Sequence, residues 1–76
     1  MTIEQFKFKK SYEFGIKEVA ELTTGKDSKV VIKKNDLFMS VIKVLNKRVV
    51  YNVAFENNEV GIEKLKKALK NISKRK

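Results

Sequence analysis

The side chains that usually carry catalysis are absent or isolated in this chain of 76 residues. It has no histidine and no cysteine. The common nucleophile–base pairs depend on an imidazole or a thiolate, so Ser11, Ser28, Ser40 and Ser73 have no histidine to activate them. Paired carboxylates can serve as general acid and base, and Glu18 with Glu21, or Asp27 and Asp36 beside turns, are the candidates. Such acids also cap helices, form turns and solubilise a chain, and that is the plainer reading. Thr24-Gly25-Lys26 lacks the upstream glycine of a phosphate loop and its strand–loop–helix setting. Asp27, Asp36 and Glu56 are too scattered to hold a divalent cation. The sequence predicts a non-enzymatic protein with no cofactor and no metal.

What the chain has in excess is positive charge. Eighteen basic and nine acidic residues leave a net charge of +9. Residues 1–38 carry a net +2 and residues 39–76 a net +7. Halves this different produce an oriented field that draws in polyanions. Lysines outnumber arginines 16 to 2. Lysine is a point charge rather than a bidentate reader, which favours contacts to a phosphate backbone with weak sequence preference. Two surfaces are candidates. One is a sheet face with Lys29, Lys33, Lys43, Arg48 and Asn52 beside apolar Met39, Val41 and Val50, where cations hold phosphates and apolar groups meet bases or sugars. The other is a helix and tail with Lys64, Lys66, Lys67, Lys70, Lys74, Arg75 and Lys76. The expected nucleic-acid-binding residues are Lys29, Lys33, Met39, Val41, Lys43, Arg48, Lys64, Lys67, Lys70 and Lys74. The plain alternative is a solvated lysine-rich helix face, with Met39 and Val41 packed under a hairpin or a dimer partner.

These residues must be positioned by secondary structure. Val30, Val31 and Ile32 within Lys29–Lys34 read as strand, Asn35-Asp36 as a tight turn, and Leu37–Leu45 as a second, nearly all-apolar strand. After Asn46-Lys47, Arg48–Glu56 alternates cleanly, with Val49, Tyr51, Val53 and Phe55 on one side. Short connections between three such runs imply an antiparallel meander. Ile62, Leu65, Leu69 and Ile72 recur at helical spacing, with Asn57 or Asn58 as N-cap and lysines in the later turns. The start is ambiguous between strands at about 3–10 and 14–23, joined near Ser11–Glu13, and a short helix at 12–23. A strip of Phe38, Ile42, Val44, Val49, Tyr51, Val53 and Phe55 is expected to bury the helix strip. The prediction is one small basic α+β domain over residues 1–76: an antiparallel meander of three to five strands with one C-terminal amphipathic helix packed on it.

Hydrophobic residues make up 42% of the chain, enough for a packed core. With no disulfide to brace so small a core, dimerisation is one route to stability. No apolar run approaches the roughly 20 residues of a membrane span, and the N-terminus does not read as a signal peptide. A cytoplasmic protein is expected.

Taken as hairpin, meander and closing helix, the order of elements resembles the small basic seven-kilodalton chromatin proteins of Sulfolobus. Gln5-Phe6-Lys7-Phe8-Lys9 and the leucine- and lysine-rich end carry the likeness. It implies duplex-DNA binding by a three-stranded sheet, with Val31, Lys33, Met39, Val41, Lys43 and Arg48 on the equivalent face. That family's tryptophan and glycine-rich turns are missing here, which leaves base-step intercalation without its usual residue. Separately, Phe8-Lys9-Lys10 through Glu13-Phe14-Gly15 and Glu21-Leu22 is similar to the start of some phage tail-assembly chaperones, without their proline or second glycine. The expected function is a nucleic-acid-binding accessory protein, with DNA favoured over RNA. The rival is a small viral or mobile-element protein-binding factor, an inhibitor or assembly chaperone, whose basic face meets an acidic protein. A third reading is association with an anionic membrane surface through the helix and tail.

Overall fold

The β-branched runs in the middle of the chain become the centre of a sheet. The computed structural model describes residues 1–74. Among these, a short 3-10 turn at Ile3–Gln5 precedes β1 (Lys9–Lys10), β2 (Glu18–Gly25), β3 (Ser28–Lys34), β4 (Phe38–Leu45), β5 (Arg48–Glu56) and α1 (Glu59–Lys74). The strands lie in sequence order and every neighbouring pair is antiparallel. This is the expected α+β meander with a C-terminal helix packed on it.

Directly paired residues share a face of the sheet. The rows Ala20–Ile32–Val41–Val53 and Leu22–Val30–Lys43–Tyr51, with Met39 opposite Phe55, therefore form one face. Leu65, Leu69 and Ile72 of α1 close over it, and Phe6 joins them from the N-terminal segment. Ile32, Val30, Val41, Leu65 and Leu69 are wholly enclosed. Burying one such side chain is worth about 1.5–3 kcal/mol, so this layer supplies the main driving force for folding.

Two expectations are corrected. Phe38, Ile42, Val44 and Val49 do not meet the helix; they lie on the opposite, open face, and Met39 and Val41 take their place beneath it. β4 is apolar on both faces, so alternation alone could not orient it. A bulge at Val50 then puts Val49 out of phase with Tyr51. At the N-terminus the two-strand alternative holds, with a first strand of only two residues and a second displaced to Glu18–Gly25, and there is no helix at 12–23. Met1, Ile3, Phe6 and Phe8 wrap the edge of the core, and only Lys9 and Lys10 pair with β2. Burial of the aromatic rings, rather than strand pairing, satisfies their alternation.

The two ends of the sheet are built differently. At one end Asn35 acts as a staple. Its Oδ1 accepts from the N–H groups of Leu37 and Phe38 at 2.8 and 2.7 Å, and its Nδ2 donates to the Gly15 carbonyl at 3.0 Å. Its own carbonyl accepts from Asn57 Nδ2 at 2.7 Å. The β1–β2 loop, the β3–β4 turn and the entry to α1 are thereby held together. Gly15 has φ of +83°, a conformation natural to glycine. Asn58 is the N-cap, its Oδ1 accepting from Gly61 N–H at 2.8 Å. Gly61 lies so close to β5 that an added Cβ would sit 1.6 Å from the Glu56 carbonyl oxygen.

At the other end, the β2–β3 turn (Lys26-Asp27) and the β4–β5 turn (Asn46-Lys47) lie side by side. Asn46 N–H donates to the Asp27 carbonyl at 2.8 Å. Asn46 and Lys47 have φ of +51° and +65°, the two left-handed residues of a tight hairpin that follows the sheet's twist.

Candidate nucleic-acid interface

The expected binding residues do not come together on one face. Lys29 and Lys33 are on the open face, but each is met by a carboxylate: Lys29 Nζ lies 3.2 Å from Glu21, and Lys33 Nζ 3.0 Å from Glu13. Lys17–Asp36, Lys34–Glu18 and Lys66–Glu63 are paired as well. Lys34 also sits 4.1 Å over the Phe8 ring. Met39 and Val41 are 3% and 0% exposed under α1, so they serve packing and cannot touch a ligand without unfolding the core. Lys43 is on the helix-covered face, opposite Val30 and Tyr51. Arg48 is exposed at the start of β5. Lys64, Lys67 and Lys70 are exposed on α1. Lys74 ends α1, and its side chain, together with Arg75 and Lys76, lies outside the described residues.

Among the described residues, the cations without a carboxylate partner fall mainly in three places: Lys7, Lys9 and Lys10 on the N-terminal segment; Lys26, Lys47 and Arg48 at the paired turns; and Lys64, Lys67 and Lys70 on α1. Each group borders a depression: Lys7 and Lys9 line one with Glu21, and Lys67 and Lys70 line one with Lys66, Glu4 and Glu63, but the one at the paired turns sets three lysines against a single acid. An open depression on the bare face is lined by Lys26, Lys29 and Lys47, with Asp27 as the acid, and by Thr23, Ser28, Val44 and Val49. Thr23, Lys29, Val44 and Val49 form its floor as one cross-strand row. The Asn46–Asp27 backbone bond fixes the distance between the two turns, and a 2.7 Å hydroxyl hydrogen bond ties Ser28 to Thr24 across the β2–β3 turn.

No family model, curated protein or solved structure matches the chain.

The depression combines the ammonium groups of Lys26, Lys29 and Lys47, the hydroxyls of Thr23 and Ser28, the Asp27 carboxylate and the apolar side chains of Val44 and Val49. That set suits an anion with an apolar or flat flank, such as a phosphate carrying its sugar. In the sequence Lys26 stands out only within Thr24-Gly25-Lys26, which lacks a phosphate-loop setting, and Lys47 only at the break Asn46-Lys47. The signal that locates them is topological: in a meander, the first and third hairpin turns of four consecutive strands fall at the same end. At the opposite end of the sheet the exposed apolar groups include aromatics: Tyr12, Phe14, Leu37 and Phe38 are 91%, 103%, 69% and 51% exposed. Among the described residues, no helix is long and apolar enough to cross a membrane.

Proposed function

We propose that the protein is a non-enzymatic nucleic-acid-binding accessory factor that grips the phosphate backbone at its paired hairpin turns. The observation that carries this reading is the convergence of Lys26, Lys29 and Lys47 on one depression beside the apolar Val44 and Val49. Lys26 and Lys47 have no carboxylate partner among the described residues, so they are free to neutralise phosphates. Lys29 exchanges an exposed pair with Glu21 for a phosphate, at small cost because exposed pairs are worth at most about 1 kcal/mol. Arg48 adds a further cation beside Lys47. Lys64, Lys67 and Lys70, on the helix side of the sheet, strengthen the attractive field without making the contacts. DNA is the preferred ligand and sequence preference is weak, because no side chain in the depression offers the bidentate geometry that reads a base edge.

Titrating salt against the binding of a labelled DNA oligonucleotide and its RNA counterpart tests this. Log affinity should fall linearly with log salt, with a slope of about 0.7–0.9 per neutralised phosphate. Binding that ignores salt, or no binding at low salt, contradicts it.

The apolar end favours a second reading, a protein-binding factor. Phe14 and Tyr12 are almost fully exposed on a loop that Asn35 holds in place, and a rigid exposed aromatic is the usual anchor of a protein contact. A stoichiometric protein partner that survives nuclease treatment of an extract, and is lost on Phe14→Ser, would favour this reading over the first.

A further inference from the structure

The two edges of the sheet are unequal. β1 is a two-residue strand made of Lys9 and Lys10, and short, lysine-bearing edges resist pairing with another chain. β5 is nine residues long. Between Arg48 and Glu56 it has no charge and no proline, and it exposes Val49 and Val50 by 61% and 53%. It pairs only with β4. Among the described residues no other backbone hydrogen bond reaches residues 48–56. One edge is guarded and the other is left ready.

The charges on β5 also fit one another. Its only ionised side chains are Arg48 at the start and Glu56 at the end. When two copies of β5 run antiparallel and cross at Asn52, Glu56 of each copy comes to the start of the other's β5. The bulge at Val50 turns Arg48 to the helix side and brings Lys47, on the same open face as Glu56, opposite it. Moving the crossing point to Tyr51 or Val53 puts Glu56 opposite Leu45 or Val49, and the complementarity is lost. An isologous contact of this kind is closed: residue i meets j, and j meets i.

We propose that β5 is the seam of a two-fold symmetric dimer, with two copies of the chain joined edge to edge into a ten-stranded sheet centred on Asn52. Tyr51 then lies across from Val53 of the second copy on the helix-bearing side, and Asn52 faces its own counterpart on the open side. The two-fold contact uses the β5 edge of both copies, and the edges that remain are the two-residue, lysine-bearing β1 strands, so a third chain does not add.

The test uses the full chain free of nucleic acid, so its outcome is independent of the function proposed above. Sedimentation equilibrium should give a dimer with a Kd below about 1 mM. Lys47→Glu/Arg48→Glu and Glu56→Arg should each be folded and monomeric at concentrations where the parent is dimeric. Mixing the two variants one to one should restore a dimer that contains one copy of each. A parent that stays monomeric at about 1 mM, one that forms open-ended polymers, or a dimer that tolerates both charge reversals would each overturn the proposal.

Discussion

Gly61 and Asn35 show how single residues set the frame. Gly61 follows Asn58 at the first turn of α1 and presses on the Glu56 backbone, where a Cβ has no room. Gly61→Ala should therefore destabilise the fold by about 2–3 kcal/mol, as overpacking does, although alanine is the better helix former. A urea denaturation midpoint measures this, and a neutral or stabilising result would show that β5 and α1 can part at no cost. Asn35 makes three side-chain hydrogen bonds that join two loops. Asn35→Ala should cost about 1–3 kcal/mol. Phe14→Ala, in the same end of the molecule but fully exposed, should change stability by less than about 0.5 kcal/mol. Equal effects from Asn35→Ala and Phe14→Ala would remove the staple from the account.

Individual elements were legible in proportion to the clarity of their period. β5 is read at its observed bounds because polar and apolar residues alternate along it, and α1 because Ile62, Leu65, Leu69 and Ile72 repeat at helical spacing. β4 was legible as a strand but not in its facing, since Phe38–Leu45 is apolar on both sides and its phase is set by pairing with β3 and β5. Residues 1–17 were not legible. Phe6 and Phe8 alternate like a strand, yet what positions them is a tertiary contact with Leu65, Leu69 and Ile72 that no local pattern encodes. At this scale the account rests on α1 closing the sheet. Leu65→Ala or Leu69→Ala, each at a fully enclosed site, should cost about 2–5 kcal/mol. Loss of the cooperative thermal transition, or a large downward shift in it, is the expected readout. An unchanged transition would mean that the sheet does not need the helix.

For the whole molecule, the sequence carried the amount of charge but not its arrangement. The net charge of the second half is fixed by its residues, but five ion pairs among the described residues decide which cations are already matched, and four of them lie within residues 1–38. Expecting cations and apolar groups on one open face was right for Lys29, Lys33 and Asn52 and wrong for Met39, Val41 and Lys43, because all three of the latter turn with β4. Lys26 and Lys47 gain their importance only from the meander, which brings residues 21 positions apart to one rim.

The direct test of that arrangement compares two neutralisations of equal charge. Lys26→Gln/Lys47→Gln removes two cations from the depression, and Lys67→Gln/Lys70→Gln removes two from the far side of the sheet. With DNA, the first variant should lose about 1.5 from its log–log salt slope and the second almost nothing, since about 0.7–0.9 is lost per phosphate contact. If both variants keep the parent slope, or if the helix variant loses more than the turn variant, the paired turns are not where the protein holds its ligand.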